Sequence, residues 1–149
     1  MTLSMPNALP DPDYDPAFYD GIPAKRFFAW VVDVVLITAI TFLLGLLTLS
    51  LLWWVWPVTF IVVNFLYRAG TIASGSATLG MRLMNIELRG ATGARFTGGE
   101  ALVHTLTYMV ATGFVILQAI SIVMMGFGAR HQGLHDLLIG SVAINRPRR

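Results

Sequence analysis

The sequence predicts an all-α integral membrane protein with about three transmembrane helices and a small cytoplasmic loop in which short β-strands are expected. Of its 149 residues 56% are hydrophobic and only 12% are charged, whereas a soluble domain carries about 25% charged residues. The mean hydropathy is +0.70, and the apolar residues are concentrated in long runs. These observations exclude an ordinary water-soluble globule and a disordered chain.

Composition also narrows the classes of function. The chain has no cysteine, which excludes disulfides, thiolate metal sites and cysteine nucleophiles. Its net charge is only +2, and no basic stripe with interleaved aromatic residues indicates a nucleic-acid partner. Because no metalloprotease, nucleophile-elbow or phosphate-loop motif occurs, we expect no enzymatic activity and no cofactor. Arginines beside apolar runs indicate anionic lipid headgroups as partners.

Two terminal segments differ in composition from the rest of the chain. Residues 1–20 contain four prolines and four aspartates, which predicts a mobile, solvated tail. Their polar, acidic start is unlike a secretory signal, so we expect the first apolar run to be retained. Residues 146–149 form a short basic tail, and residues 21–145 are the predicted membrane domain.

Two apolar runs predict a helical hairpin. Residues 27–49 contain one charge, Asp33, and about 20 helical residues cross a hydrocarbon core of about 30 Å. Residues 51–68 begin with three tryptophans and end at Tyr67 and Arg68, which places a membrane interface at each end. Since the link between the runs is short, the two helices must be antiparallel.

The cytoplasmic loop, residues 69–100, is rich in glycine and arginine. Partial alternation over residues 82–89, followed by a Gly-Ala-Thr-Gly turn, predicts a short strand. Thr97-Gly-Gly-Glu100 predicts a capping box at the start of the next helix. We expect Met84–Leu88 to pair with a second short strand at Val142–Ile144.

The third apolar run, residues 101–126, exceeds one perpendicular span and is interrupted by Gly113. It is interpreted either as one tilted helix or as an interfacial helix followed by a membrane-inserted piece, and its length favours a third membrane helix. The distribution of Lys and Arg places the amino terminus and the 69–100 loop in the cytoplasm. A single crossing would export Arg130 and the C-terminal arginines, so the crossing of this run stays open.

Asp33 is the first candidate functional residue. A carboxylate inside an apolar helix costs about 2.5–3.5 kcal/mol, so Asp33 must face protein. Asn64, one helical turn before Arg68, lies at a similar depth. We therefore predict a polar cluster of Asp33, Asn64 and an arginine, Arg68 or Arg82. The cluster is either a cation or proton site or an ion pair that fixes helix packing.

A second candidate group follows the third run. Asp136 either joins Asp33 across a cation, or caps a helix or pairs with Arg82 or Arg130. His131 and His135 are four residues apart, a spacing that can bind a metal with Asp136. Because Gly133 intervenes, no metal site is expected. His104 is expected to be a hydrogen-bonded helix histidine.

Three segments resemble the RDD family of membrane proteins. Residues 23–33 contain Arg-x-x-Ala-x-x-x-Asp, residues 78–86 contain Thr-Leu-Gly, and residues 133–142 contain Leu-x-Asp-x-x-x-Gly-Ser-Val. The arginine and two aspartates of the family name correspond to Arg26, Asp33 and Asp136. Met81 stands where the family often has lysine and Ser141 where it often has threonine, so a role that requires that lysine is in doubt.

The resemblance implies a multi-pass protein of the bacterial inner membrane, in a family for which ion transport has been proposed for some members. We therefore expect ion or small-solute transport, coupled to a cation or proton, by a homo-oligomer or with a membrane-protein partner. The alternative is a non-transporting scaffold or an accessory subunit of a membrane complex. The predicted functional cluster consists of Arg26, Asp33, Asn64, Arg82 and Asp136.

Overall fold

A computed structural model describes residues 8–147. The prediction of a mostly helical membrane protein with a few short strands is confirmed. The elements in chain order are a 3-10 turn at Pro16–Phe18, α1 (Ile22–Leu47), a 3-10 turn at Leu51–Trp53, α2 (Trp56–Gly75), α3 (Leu79–Leu83), β1 (Ile86–Arg89), α4 (Gly98–Gly113), α5 (Val115–Phe127), α6 (Leu134–Ile139) and β2 (Val142–Asn145).

The helices α1 and α2 are each long and apolar enough to cross a membrane. Both differ from their predicted bounds at the amino-terminal end. The first begins earlier than residue 27, with a proline in its first turn. The second begins at Trp56 rather than 51, because Pro57 fits only a first turn, and it continues past Arg68 to Gly75.

The segment before α1 corrects the prediction of a solvated tail. Phe18 and Tyr19 are buried and pack against Val142 and Ile144 of β2. The Tyr19 hydroxyl donates a hydrogen bond of 2.7 Å to the carbonyl oxygen of Pro10. This aromatic pair buries an apolar face, so the prediction is wrong for Phe18 and Tyr19, whereas Asp11, Asp13 and Tyr14 are exposed. The predictions of tails at residues 1–7 and 148–149 lie outside the described residues.

The two strands pair as expected, the pairing is antiparallel, and β1 covers residues 86–89 rather than 84–88. Ile86 lies opposite Asn145, and Leu88 lies opposite Ala143. Buried side chains of both strands join the core formed with α1, α2, α3 and α4. The strand pairing thereby ties the end of the chain to the loop that follows α2.

The third apolar run is two helices rather than one tilted helix. The axes of α4 and α5 differ by 114°, and Phe114 between them has an extended backbone with φ −117° and ψ 114°. Gly113 precedes this break, and glycine is a poor helix former. The interpretation as a single tilted helix is therefore wrong.

The strand pairing also shows that the α4–α5 pair begins and ends on the same side of the membrane. β1 precedes the pair and β2 follows it, yet the two strands are hydrogen-bonded. A single crossing between them would separate them by a hydrocarbon core of about 30 Å. The Lys25 ammonium also donates to Asn145 Oδ1 at 2.5 Å. The amino-terminal end of α1, the loop after α2 and β2 therefore lie on one membrane face.

Candidate functional site

Two buried carboxylates organise the polar interior. The first, the Asp33 centre, comprises Asp33, Asn64, Tyr67, Arg68, Thr78 and the backbone of Gly80. Asp33 Oδ1 accepts hydrogen bonds from the Tyr67 hydroxyl at 2.7 Å and the Gly80 amide at 2.9 Å. Asp33 Oδ2 accepts from the Thr78 hydroxyl at 2.7 Å and lies 3.9 Å from Arg68 Nη1. The carboxylate thus joins α1, α2 and the start of α3.

Arg68 extends this centre towards α4. Its Nε donates to Asn64 Oδ1 at 3.0 Å, and its guanidinium lies 4.1 Å from the centroid of the Tyr108 ring. The structure therefore brings together Asp33, Asn64 and Arg68, as the sequence predicts. A cation held over an aromatic face is stabilised by the ring quadrupole.

Arg82 does not join either centre. Its guanidinium donates to the carbonyl oxygens of Thr71 and Ala77 and to the Ser74 hydroxyl. The difference from the prediction follows from α3, because its amino-terminal turn faces Asp33. Arg82 is thereby directed to the end of α2, where it stabilises the turn between the two helices.

The second group, the Asp136 centre, comprises Arg26, His104, His135 and Asp136. Asp136 is fully buried and pairs with Arg26 Nη1 at 2.7 Å and with His104 Nε2 at 3.0 Å. Its carboxylate also accepts the Gly133 amide at 2.9 Å, which caps α6. Asp136 therefore does cap a helix, but its arginine partner is Arg26 rather than Arg82 or Arg130.

Burial and neighbouring charges set the protonation states of His135 and Asp136 on α6. Burial raises the pKa of Asp136, but the positive field of Arg26 and contacts with His104 and His135 outweigh it, so the pKa lies well below its usual value. Burial lowers the pKa of His135 to about 3, with Arg26 contributing and Asp136 opposing. Asp136 is therefore ionised and His135 neutral at neutral pH.

The Asp136 centre is not fully satisfied. Arg26 Nη2 lies 3.2 Å from His135 Nε2, so this nitrogen accepts and the proton of the neutral ring is on Nδ1. Within residues 8–147, His104 Nδ1 and His135 Nδ1 are buried without a hydrogen-bond partner. A buried polar group without a partner costs about 1–3 kcal/mol. These two nitrogens distinguish the Asp136 centre from the Asp33 centre.

Aromatic contacts connect the two centres. The Tyr108 ring, which stacks on Arg68, meets the His135 ring edge-on at 5.3 Å between centroids. His135 in turn lies 5.1 Å from His104. Arg68, Tyr108 and His135 therefore connect the Asp33 and Asp136 centres. The signal for this contact was the spacing of His104 and Tyr108, one helical turn apart on α4.

The histidine pair differs from the sequence expectation. His131 Nδ1 lies 2.8 Å from the carbonyl oxygen of Met125 and not beside His135. His104 takes its place: ligand atoms of His104, His135 and Asp136 all lie within 4.8 Å of one another. Two imidazoles and a carboxylate are suitable ligands for a divalent transition metal.

A third buried acid, Glu87 of β1, was not singled out from the sequence. Its carboxylate pairs with Arg89, with Arg95 at 3.1 Å and with Arg146 at 3.6 Å. These contacts join β1 to the following loop and to the end of β2. Glu87 therefore neutralises part of the basic charge on this face and has a structural role.

The helical hairpin, the broken α4–α5 pair and the two carboxylate–arginine centres define a small membrane protein with a polar interior near one face. The model of the RDD family matches residues 22–140, and the chain belongs to this family. The matched range contains Arg26, Asp33 and Asp136, so the resemblance drawn from the three motifs is confirmed. Comparison with curated proteins and with solved structures found no match.

Proposed function

We propose that the protein transports small cations, coupled to protons, across a bacterial inner membrane. The observation that carries this proposal is the connected set of buried ionisable groups from Asp33 through Arg68 to His135 and Asp136. Ionisable groups are costly to bury in a membrane protein, and they commonly mark ion or proton pathways.

The two centres have different roles in this proposal. Asp33 has hydrogen-bond donors on both oxygens and joins three helices, which suits an anchor. The Asp136 centre contains two imidazoles with unpartnered nitrogens, which suits a site that gains and loses an ion. The transported cation therefore binds at the Asp136 centre while the Asp33 centre holds the helices in place.

We propose that the transporting unit is a homo-oligomer. The chain offers two spanning helices and one bent pair, and so few helices enclose little space for a path. The outer surfaces of α1, α2 and α5 expose many large apolar side chains, which suit contact with lipid or with another copy. The membrane face that holds the amino-terminal end of α1, the loop after α2 and β2 is called the shared face. The arginines near this face suit anionic headgroups.

The proposed orientation places the shared face in the cytoplasm, because it carries Lys25, Arg26 and the arginines of the 69–100 loop. The chain has no cysteine, so single cysteines report position cleanly. Cysteines at Ala24 and Thr92 should resist an impermeant thiol reagent in intact cells, and one at Leu49, 93% exposed in the α1–α2 link, should react if the reagent reaches the periplasm. Reaction at Ala24 or Thr92 would reverse the orientation.

Transport is tested with purified protein in liposomes that contain a pH-sensitive dye, under imposed Na⁺, K⁺ or divalent-cation gradients. We expect wild type to move protons in response to a cation gradient and His135→Gln and Asp136→Asn to lose most of that flux. Arg82→Gln is the matched control, because Arg82 contacts neither centre. Size-exclusion profiles before reconstitution separate lost flux from lost folding. Wild-type liposomes no more active than empty ones would overturn the proposal.

The second candidate is a non-transporting scaffold or accessory subunit. It is favoured by the Asp33 carboxylate, whose described contacts join α1 to α2 and to the start of α3. A scaffold predicts that Asp33→Asn abolishes assembly with a membrane-protein partner, whereas the Asp136-centre variants leave assembly intact. Crosslinking in native membranes followed by pull-down measures this assembly.

A further inference from the structure

We propose that His104, His135 and Asp136 bind a divalent transition-metal cation of the zinc class, and that Arg26 occupies this site as a tethered cation when the metal is absent. The inference rests on the proposed cation transport and names the class of cation. Zinc-class ions combine imidazole nitrogens with a carboxylate oxygen, often leaving one position open.

The distances between the ligand atoms fit such an ion. His104 Nε2 and His135 Nε2 lie 3.0 Å and 3.7 Å from Asp136 Oδ1. Ligand atoms about 2.0–2.1 Å from a tetrahedral metal are about 3.3–3.4 Å apart, which lies between these values. The three side chains are buried and come from α4 and α6, so their positions are set by helix packing.

Arg26 holds the place of the cation. Its Nη1 contacts Asp136 Oδ2 at 2.7 Å and its Nη2 contacts His135 Nε2 at 3.2 Å. His135 Nε2 is one of the proposed metal ligands and the Asp136 carboxylate supplies the negative charge, so guanidinium and metal compete for this site. Arg26 is also the most exposed member of the centre, with 9% of its side chain accessible against 4% for each histidine. Withdrawal of Arg26 would therefore open the site towards the shared face.

The unpartnered imidazole nitrogens indicate exchangeable binding. A histidine that holds a resident metal usually donates its other N–H to a carboxylate or carbonyl group, which strengthens the metal bond. Within residues 8–147, His104 Nδ1 and His135 Nδ1 lack such a partner. The site therefore favours a metal that binds and leaves over a permanent structural ion, as a transported cation requires.

The first test measures competition by Arg26. Tag-free full-length protein in detergent is titrated with Co²⁺, followed by visible absorption, and with Zn²⁺, followed by calorimetry. Arg26→Gln should tighten Kd at least about tenfold, because the competing charge is gone while a hydrogen-bond donor to Asp136 remains. Arg26→Lys, the matched control that keeps the charge, should change Kd less than about threefold. Equal tightening in both variants, or none in Arg26→Gln, would overturn the competition.

The second test identifies the ligands. His104→Gln and His135→Gln, each in the Arg26→Gln background, should weaken Co²⁺ binding at least about tenfold and change its absorption spectrum. His131→Gln should change neither, since His131 lies outside the proposed ligand set. Unchanged binding in both ligand variants, or no binding by Arg26→Gln, overturns the metal site. Metal binding without flux in liposomes supports the site and rejects transport, whereas proton-coupled flux without metal binding does the reverse.

Discussion

The Asp33 and Asp136 centres both bury an aspartate beside an arginine, but they satisfy it differently. Asp33 accepts from two hydroxyls and one backbone amide, and its arginine is 3.9 Å away. Asp136 is in closer contact with its arginine, at 2.7 Å, and its other partners include two histidines. The same charge pair is therefore surrounded by fixed donors in one centre and by groups with spare lone pairs in the other.

This difference separates structural from ligand-binding character. Hydroxyl and amide donors from α2 and the start of α3 position Asp33 and occupy both of its oxygens. Imidazoles can donate, accept or bind a metal, so the Asp136 centre can change partners without losing every contact. A buried ion pair is by itself weak evidence for function, and the surrounding donors decide how each pair is interpreted.

The largest expected effect separates the two centres directly. Asp33→Asn places an amide NH₂ group against either the Tyr67 and Gly80 donors or the Thr78 donor, and leaves Arg68 without its carboxylate. We expect it to lower the free energy of unfolding by about 3–5 kcal/mol, measured by denaturant unfolding in detergent.

The contrast for this prediction is His135→Gln, which we expect to cost less than about 1 kcal/mol, because His135 is neutral and glutamine preserves an acceptor. Asp13→Asn, at an exposed site, should stay within about 0.5 kcal/mol. Equal losses for Asp33→Asn and His135→Gln would mean that the centres do not differ in structural role.

A smaller effect is expected at Gly80, which lets α3 approach α1. A Cβ at this position would lie 2.1 Å from the Ala29 carbonyl oxygen and 2.8 Å from Asp33 Oδ1. Gly80→Ala should therefore displace α3 and cost about 2–3 kcal/mol in the same unfolding assay.

Gly70→Ala is the matched substitution within α2. Among the described residues, no atom outside its own helix lies within 4 Å of the added Cβ. The substitution should stabilise the helix by up to about 1 kcal/mol. Destabilisation at both glycines would indicate a general sensitivity to alanine rather than a close contact at Asp33.

The smallest expected effect concerns the two tyrosines. Tyr67→Phe removes the hydroxyl that donates to Asp33, and we expect a loss of about 1.5 kcal/mol, the lower end for a hydrogen bond to a charged group. Tyr108→Phe keeps the ring that contacts Arg68 and His135, so its change should be within about 0.5 kcal/mol. Thermal unfolding of the two variants side by side measures the difference.

Local patterns predicted a large part of the fold. The capping box at Thr97 and Glu100 starts α4 as expected, and the alternation around residues 86–89 marks β1. The pairing with β2 followed from two short apolar segments flanked by arginines. These features depend on neighbouring residues, whose spacing is visible in the chain. By contrast, Phe18 and Tyr19 were misjudged because their partners, Val142 and Ile144, are far away in sequence.

Of the two centres, only the Asp33 centre could be predicted from the sequence. Asn64 and Arg68 are one turn apart on α2, and the short link between α1 and α2 brings them to the depth of Asp33. Arg82, the alternative arginine, is not part of this cluster, because the direction of α3 turns its side chain to the end of α2. His104 is a hydrogen-bonded helix histidine as predicted, but its partner could not be derived, since Asp136 is 32 residues away across the bend between α4 and α5.

The sequence by itself determined the membrane class, the helical hairpin, the strand pair and the family, because hydropathy, turn signals and motifs are local properties of the chain. Only the tertiary structure decided that α4 and α5 bend by 114° and that Arg26 meets Asp136. The latter contact joins the start of α1 to α6, with a sequence separation of about a hundred residues. Such a contact depends on the packing of every intervening helix, since buried charges pair with whichever partner the packed helices bring within reach.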